Sequence, residues 1–458
     1  MIPAAFTWTD VQVRAALGIA EAPRPRLAFT GVSTDSRTVH PGDLYVALVG
    51  PRFDGHDFVE AALAAGARAA VVSRSVPPTE APLYAVDDTL VALGRLASYR
   101  RARLDVPVIG ITGSSGKTST KDFTRGALGR ALAVHATEGN LNNRIGVPIT
   151  LLGTPAGAEA VVVEMGSNEP GEIGILTDIV RPTLGLLTTV GESHLEKLGS
   201  LEGVLDEKLD LLRGLPGEGA AVVGDVPAAL AERARSLHGR TRVAGWSERA
   251  DAELRPADVT VDERGAHSFS WRDATVSLRV PGRHAVENAL LALAASEELG
   301  VAAAAAADGV SAVEPGWMRG QVARIGSLTL LLDCYNANPQ STRAALDTLE
   351  LQDGARVAVL GSMLELGPDS DALHEDVLLA ALRRDLDVVV ATGKFARAAR
   401  GLDTGRGRAA LVTLDDPLDG YARLREILTG EEVVLLKASR GVALEGLLPL
   451  LSADFGGE

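Results

Sequence analysis

The chain has 458 residues, 46% hydrophobic and 23% charged, with a formal net charge of −15 at pH 7. That length suggests about three domains at roughly 150 residues each, and so much apolar surface excludes intrinsic disorder as the main state. The acidic balance and the lack of a long basic run exclude nucleic acid as the main partner, and a single cysteine, Cys334, excludes an internal disulfide and a multi-cysteine metal site.

The first ten residues show neither a positive n-region nor an apolar h-region, so no export signal is expected there. No uninterrupted apolar run is long enough for a bilayer. A cytoplasmic protein without an integral membrane segment is expected. Residues 1–104 form a first unit. Strand-like runs at Leu44–Leu48 and Ala69–Val72 alternate with polar turns and a helix near Phe58–Ala65. A Pro-rich loop at 76–79 follows, then an arginine-rich helical segment over Leu93–Arg103.

Residues 105–314 form a second unit. Val108–Thr112 reads as a buried strand, and further apolar runs at Ala160–Val163, Leu184–Thr188 and Ala220–Val223 alternate with helices. That alternation predicts a mostly parallel sheet covered on both faces. The stretch 252–280 reads as antiparallel strands, and His284–Leu299 as a long Ala-rich helix. Residues 315–458 form a third unit, with strand-like runs at Leu328–Leu332, Val357–Leu360, Val388–Ala391 and Val433–Leu436 between helices. The expected fold class is therefore α/β: a small α/β N-terminal domain, a central P-loop ATPase-like domain with a mostly parallel sheet, and a C-terminal Rossmann-like domain.

The strongest local signal is Thr112-Gly113-Ser114-Ser115-Gly116-Lys117-Thr118-Ser119-Thr120, between a strand and a helix. Gly113 and Gly116 let backbone amides turn toward an anion, and the helix N-terminus adds partial positive charge. Lys117 would reach the terminal phosphates and the Thr118 hydroxyl would ligate Mg²⁺. The strict pattern wants glycine at 111, where this chain has Ile111, so the loop is a shorter variant anchored on Gly113. Only six of the 45 basic residues are lysine, among them Lys117, Lys208 and Lys437. In an arginine-dominated chain, a lysine kept inside a motif marks a position that needs a primary amine or a compact charge.

Downstream, Thr137-Glu138-Gly139-Asn140-Leu141-Asn142-Asn143-Arg144-Ile145-Gly146-Val147-Pro148 is followed by Glu164-Met165-Gly166, Gly191-Glu192-Ser193-His194-Leu195-Glu196 and Lys208. Two third-unit segments complete the series: Asp333-Cys334-Tyr335-Asn336-Ala337-Asn338-Pro339 and Leu360-Gly361-Ser362-Met363-Leu364-Glu365-Leu366-Gly367. This ordered set resembles the Mur ligases, and the last two segments resemble the branch that adds D-alanyl-D-alanine. The likeness extends to the first unit at Ser33-Thr34-Asp35-Ser36-Arg37 and Gly42–Leu48.

The resemblance implies an ATP-dependent, amide-bond-forming ligase working through an acyl phosphate, with UDP-MurNAc-tripeptide and D-Ala-D-Ala as substrates. It implies ATP and two Mg²⁺ sites, with Thr118, Glu164, His194 and Lys208 as the metal and catalytic set beside Lys117. Lys208 matches a lysine that is carbamylated in most of the family. ATP contacts are implied for Gly113, Ser114, Ser115, Gly116, Lys117, Thr118, Ser119, Asn288, Arg319 and Asp333. Substrate contacts are implied for Ser33, Asp35, Ser36, Arg37, Asn142, Asn143, Asn336, Asn338, Lys437 and Arg440. A monomer is expected from the same likeness.

Three positions depart from the family pattern: Ala285 and Thr189 stand where asparagines are usual, and Ser362 where aspartate is usual. Taken alone, Lys208 within Leu205–Asp210 reads as an i,i+4-paired surface helix, and His194 as an ordinary surface or core histidine. Two other readings stay open: a sibling ligase using another amino-acid donor, such as a folylpolyglutamate-type enzyme, and a nucleotide-dependent regulatory protein that has lost ligation.

Overall fold

A computed structural model describes residues 6–20, 24, 26–400, 402 and 408–457. The first five residues of the stretch read for an export signal lie outside them. Among the described residues no helix is long and apolar enough to cross a membrane.

The N-terminal part carries a four-stranded parallel sheet (Val32–Ser33, Leu44–Val46, Ala69–Val72, Leu83–Ala85) and a short antiparallel pair, Trp8–Thr9 with Ala28–Phe29. Its last helix, Thr89–Arg101, begins at the Asp88 N-cap, whose carboxylate accepts from the Leu90 and Val91 amides. The helix then fastens this part to the next. Arg100 donates to the Thr154 carbonyl at 2.9 Å, and Arg101 to the Val180 and Arg181 carbonyls at 2.7 and 2.8 Å.

The central sheet has six strands, all parallel, in the order Thr241–Ala244, Ala220–Gly224, Leu184–Leu187, Val108–Thr112, Ala160–Glu164, Val134–Ala136. Its strands are largely buried because helices cover both faces. The chain runs from Val108–Thr112 out to the Val134–Ala136 edge and back, then crosses to Leu184–Leu187 on the other side. The carboxyl end of Val108–Thr112 is therefore a topological switch point, where α/β sheets bind ligands. Register decides what gathers there: Ile111 pairs with Glu164, and Thr112 with Leu187.

The helix after that strand, Lys117–Leu128, buries Phe123, Ala127 and Leu128 among apolar residues of the Arg283–Glu298 helix. A fully buried side chain of Leu or Phe size contributes about 1.5–3 kcal/mol. Core packing therefore sets the direction of this helix, and with it the phosphate loop. The expected antiparallel stretch is a three-stranded sheet, Ala257–Val261, Ala266–Trp271 and Ala274–Pro281.

The third sheet is mixed, in the order Gln321–Ile325, Leu328–Asp333, Val433–Lys437, Arg356–Leu360, Val388–Thr392, Ala410–Leu414. Only the Gln321–Ile325 edge is antiparallel to its neighbour. Asp333 pairs in register with Lys437, and Lys437 with Leu360, so the Asp333 and Leu360 motifs emerge side by side at one sheet end.

Candidate active site

Two glycines let the phosphate loop turn. Gly113 has φ 145° and Gly116 φ 82°. A Cβ at Gly113 would overlap the Thr188 hydroxyl, and one at Gly116 would overlap the Asn288 amide oxygen. The loop rests on the segment after Leu184–Leu187: Ser114 N–H donates to the Thr189 carbonyl at 2.8 Å, and Thr188 Oγ1 to the Ser115 carbonyl at 2.5 Å. Ser114 Oγ accepts from Gly191 N–H at 3.0 Å and from Ser193 Oγ at 2.8 Å. The segment that carries His194 is thus the floor of the loop.

Lys117 Nζ donates to the Gly113 and Ser114 carbonyls at 2.7 and 3.3 Å, so its ammonium sits over the loop. Burial lowers its pKa, nearby Glu164 opposes that, and Arg319 adds to it. Glu164 is 1% exposed at its strand end. Its Oε1 accepts from Asn142 Nδ2 at 2.8 Å and from Thr118 Oγ1 at 3.2 Å, whereas Oε2 is buried without a partner. A buried carboxylate oxygen left unpaired is costly. A cation between Oε2 and the Thr118 hydroxyl would satisfy it, and this hard-oxygen pair suits Mg²⁺. Among the described residues no group of three or more His, Cys, Asp or Glu side chains is arranged to hold a metal. An ion here would draw its other ligands from phosphates and water, as Mg²⁺ commonly does.

Lys208 does not behave as the surface reading expects. It is 1% exposed in the helix Leu201–Arg213, and its Nζ lies 2.6 Å from Ser167 Oγ. Arg213 makes the surface pairs instead, with Asp206 at 3.0 Å and Asp210 at 2.6 Å. Neighbouring Glu207 turns inward and accepts from the Gly171 and Ile173 amides, capping the Glu172–Val180 helix. Burial, then the positive charge of Lys117, bring the Lys208 amine down to about 7.

His194 has a left-handed backbone, φ 52°, and its Nδ1 is 2.5 Å from Glu365 Oε2 of the third domain. That bond to His194 holds the Glu365 carboxyl below the usual range. Asn338, the N-cap of Pro339–Glu350, donates from Nδ2 to Ser115 Oγ at 3.0 Å, and Thr189 Oγ1 donates to Gln340 Oε1 at 3.0 Å. The start of this third-domain helix therefore touches the phosphate loop and its floor.

Other candidate residues occupy several places. Asn288 is buried behind the loop and accepts from Thr120 Oγ1 at 3.2 Å. Asn143 accepts from the Ile145 and Gly146 amides and so opens the Gly146–Leu152 helix. Ser119 and Arg319 line one small cleft. Lys437 Nζ donates to Asp333 Oδ2 at 2.7 Å and to the Asn336 carbonyl at 2.8 Å. Arg319 stacks on Tyr335 at 3.8 Å, Tyr335 meets Trp317 edge-on, and Arg440 lies over Trp317 at 4.6 Å while pairing with Glu445. Ser362 accepts from Lys394 N–H at 2.9 Å.

The structure thus gathers Lys117, Thr118, Glu164 and Asn142, with Arg319 and Lys208 within electrostatic reach. The first-domain set forms a separate group. Arg37 pairs with Asp35 at 2.6 Å, which holds the Asp35 carboxyl down to about 2, and Ser33 Oγ donates to the Asp35 carbonyl. Ser36 is half-buried beside them. Sequence reasoning missed Ser167 and Gln340, which no local pattern distinguishes, and gave no role to Glu365, although it lies in a quoted motif.

Fold and site together describe a three-part nucleotide-dependent ligase of one family. The Mur ligase family catalytic domain matches residues 28–101, the Mur ligase middle domain residues 111–296, and the glutamate ligase domain of Mur ligases residues 318–440. The chain belongs to the Mur ligase family. It is 37% identical to the UDP-N-acetylmuramoyl-tripeptide–D-alanyl-D-alanine ligase of Bacillus subtilis, over 91% of this chain and 92% of that protein. It is 36% identical to the enzyme of that name from Escherichia coli, over 93% and 95%. Among solved structures, crystal structure I of MurF from Acinetobacter baumannii superposes with TM-score 0.90 at 30% identity, covering 98% of this chain and 100% of that one. MurF ligase from Thermotoga maritima in complex with ADP gives 0.81 at 27%, covering 93% and 97%.

Proposed function

We propose that this chain ligates D-alanyl-D-alanine to UDP-N-acetylmuramoyl-tripeptide with ATP, giving the pentapeptide precursor of peptidoglycan, ADP and phosphate. The observation that carries this reading is the meeting of the phosphate loop with the third-domain Asn338 motif, in a chain that matches enzymes of that name over nine-tenths of its length. In the first step the tripeptide carboxylate attacks the γ-phosphate, forming an acyl phosphate and releasing ADP. The dipeptide amine then attacks the acyl carbon and phosphate leaves. The first step brings two anions together, so fixed positive charge has to offset their repulsion.

Lys117 supplies part of it by exchanging the Gly113 and Ser114 carbonyls for phosphate oxygens. Arg319, close enough to lower the Lys117 pKa, supplies more. Thr118 and Glu164 would hold one Mg²⁺, and His194, with Nδ1 engaged, offers Nε2 to a second. Bound Mg²⁺ neutralises phosphate charge and polarises the transferred group. An amine brought down to about 7 is substantially neutral near neutral pH. It can therefore add to CO₂, forming an N–C bond and losing one proton, to become an anionic carbamate oxygen ligand. Arginine cannot do this. A carbon-13 carbamate signal from labelled bicarbonate, absent in Lys208→Met, is expected; equal signals from both proteins would refute the carbamate.

Ser33, Asp35, Ser36 and Arg37 are assigned to the uridine diphosphate end of the acceptor, and Asn142 and Asn143 to its approach. Asn288 and Asp333 are assigned to the nucleotide. Asn336, Asn338, Lys437 and Arg440 are assigned to the dipeptide. The reaction is placed in the cytoplasm, where ATP is available, and the chain is taken to act as a monomer. The deciding experiment is ADP release with UDP-MurNAc-tripeptide, ATP and Mg²⁺, with and without D-Ala-D-Ala. Dependence on the dipeptide and a pentapeptide product by mass are expected. Preference for a single amino acid, or no ligation of any donor, would overturn the assignment.

A further inference from the structure

Glu365 has no role in the site described so far, yet it crosses from the third domain to His194. Both residues have left-handed backbones, φ 63° and 52°. Non-glycine residues hold such conformations only where the surroundings over-determine them. Here the surroundings are two turns fitted backbone to backbone. Glu196 N–H donates to the Glu365 carbonyl at 3.3 Å. Gly367, φ 65°, lies so close that a Cβ would stand 3.0 Å from Glu196 Cα. The Leu364 amide donates to Ser439 Oγ at 3.0 Å, and the Met363 amide to His374 Nε2 at 2.9 Å, so the loop carrying Glu365 is held from behind as well.

A neutral imidazole carries its proton on one nitrogen. A carboxylate beside Nδ1 selects the Nδ1–H tautomer and leaves the Nε2 lone pair outward, the arrangement that orients metal-binding histidines. We propose that Glu365 is a positioning residue: from the third domain it fixes the tautomer and ring orientation of His194, so that Nε2 faces the second Mg²⁺. This rests on the reading of His194 as a ligand. It makes the second-ion site complete only when the third domain is docked. Ion binding and docking then favour each other reciprocally.

The test is a Mn²⁺ titration of the full chain followed by electron paramagnetic resonance, with a non-hydrolysable ATP analogue present. The wild-type chain is expected to bind two ions. Glu365→Asn keeps a side chain that tolerates a left-handed backbone but removes the carboxylate, and should weaken one ion by about 10–100-fold while leaving the other unchanged. Glu365→Gln, whose amide oxygen still accepts from Nδ1–H, should recover most of the loss. A single ion in the wild-type chain, unchanged affinities in Glu365→Asn, or equal loss of both ions would overturn the proposal. Donor specificity does not enter this readout, so a failed ligase assignment would show in the ADP-release assay and not here.

Discussion

Lys208 sits where a positive charge is expensive. Its amine is surrounded by protein, bonded to a serine hydroxyl and repelled by Lys117, so the folded state holds it near 7 against an ordinary 10.5. Between those values the unfolded chain carries a proton that the folded chain has released. Stability must therefore rise with pH across that window and level off below about 7. Urea unfolding in CO₂-free buffer should show this rise, and Lys208→Met should reduce it; an identical slope in the variant would mean that the amine is solvated. Glu164 poses the opposite problem, a buried oxygen without a partner, which the proposed cation beside the Thr118 hydroxyl would resolve. Both residues are costly to the ligand-free fold, and on the proposed reading the bound ligands offset that cost.

Among the elements, the strand–loop–helix over 108–128 and the Pro339–Glu350 helix would carry the proposed chemistry. The loop works only with glycine at 113, because the backbone is left-handed and the Thr188 hydroxyl fills the space of a Cβ. Gly113→Ala should abolish nucleotide binding by calorimetry and lower stability by about 1–3 kcal/mol. Wild-type affinity in that variant would show that the loop can rearrange. Asn338 caps its helix and also reaches Ser115. Asn338→Ala should cost about 1 kcal/mol in unfolding experiments and weaken nucleotide binding as well. A stability loss with unchanged binding would make the residue a cap alone.

Over the whole molecule, the two domain junctions are built differently. The first domain is joined to the centre by the buried face of the Thr89–Arg101 helix and by arginines bonded to main-chain carbonyls. The third domain also touches the centre at the site itself: Ser115 meets Asn338, Thr189 meets Gln340, His194 meets Glu365, and the Glu196 amide meets the Glu365 carbonyl. Contacts of the second kind respond to what fills the site. Nucleotide and acceptor together should therefore compact the chain in small-angle scattering, with the third domain as the moving part. A radius of gyration that does not change would contradict this.

The sequence by itself determined the α/β class, the three-part organisation and the phosphate loop. Strand alternation, glycine placement and helix starts are local consequences of backbone geometry and burial, so strands such as Val108–Thr112 and helix starts such as Lys117 are legible without a structure. Motif order also carried the family. Only the tertiary structure decided which side chains meet. The burial of Lys208 depends on a helix packing against a distant strand end, and its local pattern pointed to the surface instead. Thr189 reaches Gln340 and Ser362 caps the Lys394 amide, so two departures from the family pattern have partners that no window around them contains. The Glu365–His194 pair spans two domains and many intervening residues. Such contacts arise from sheet register and domain docking, which are global packing outcomes, and short-range sequence pattern does not encode them.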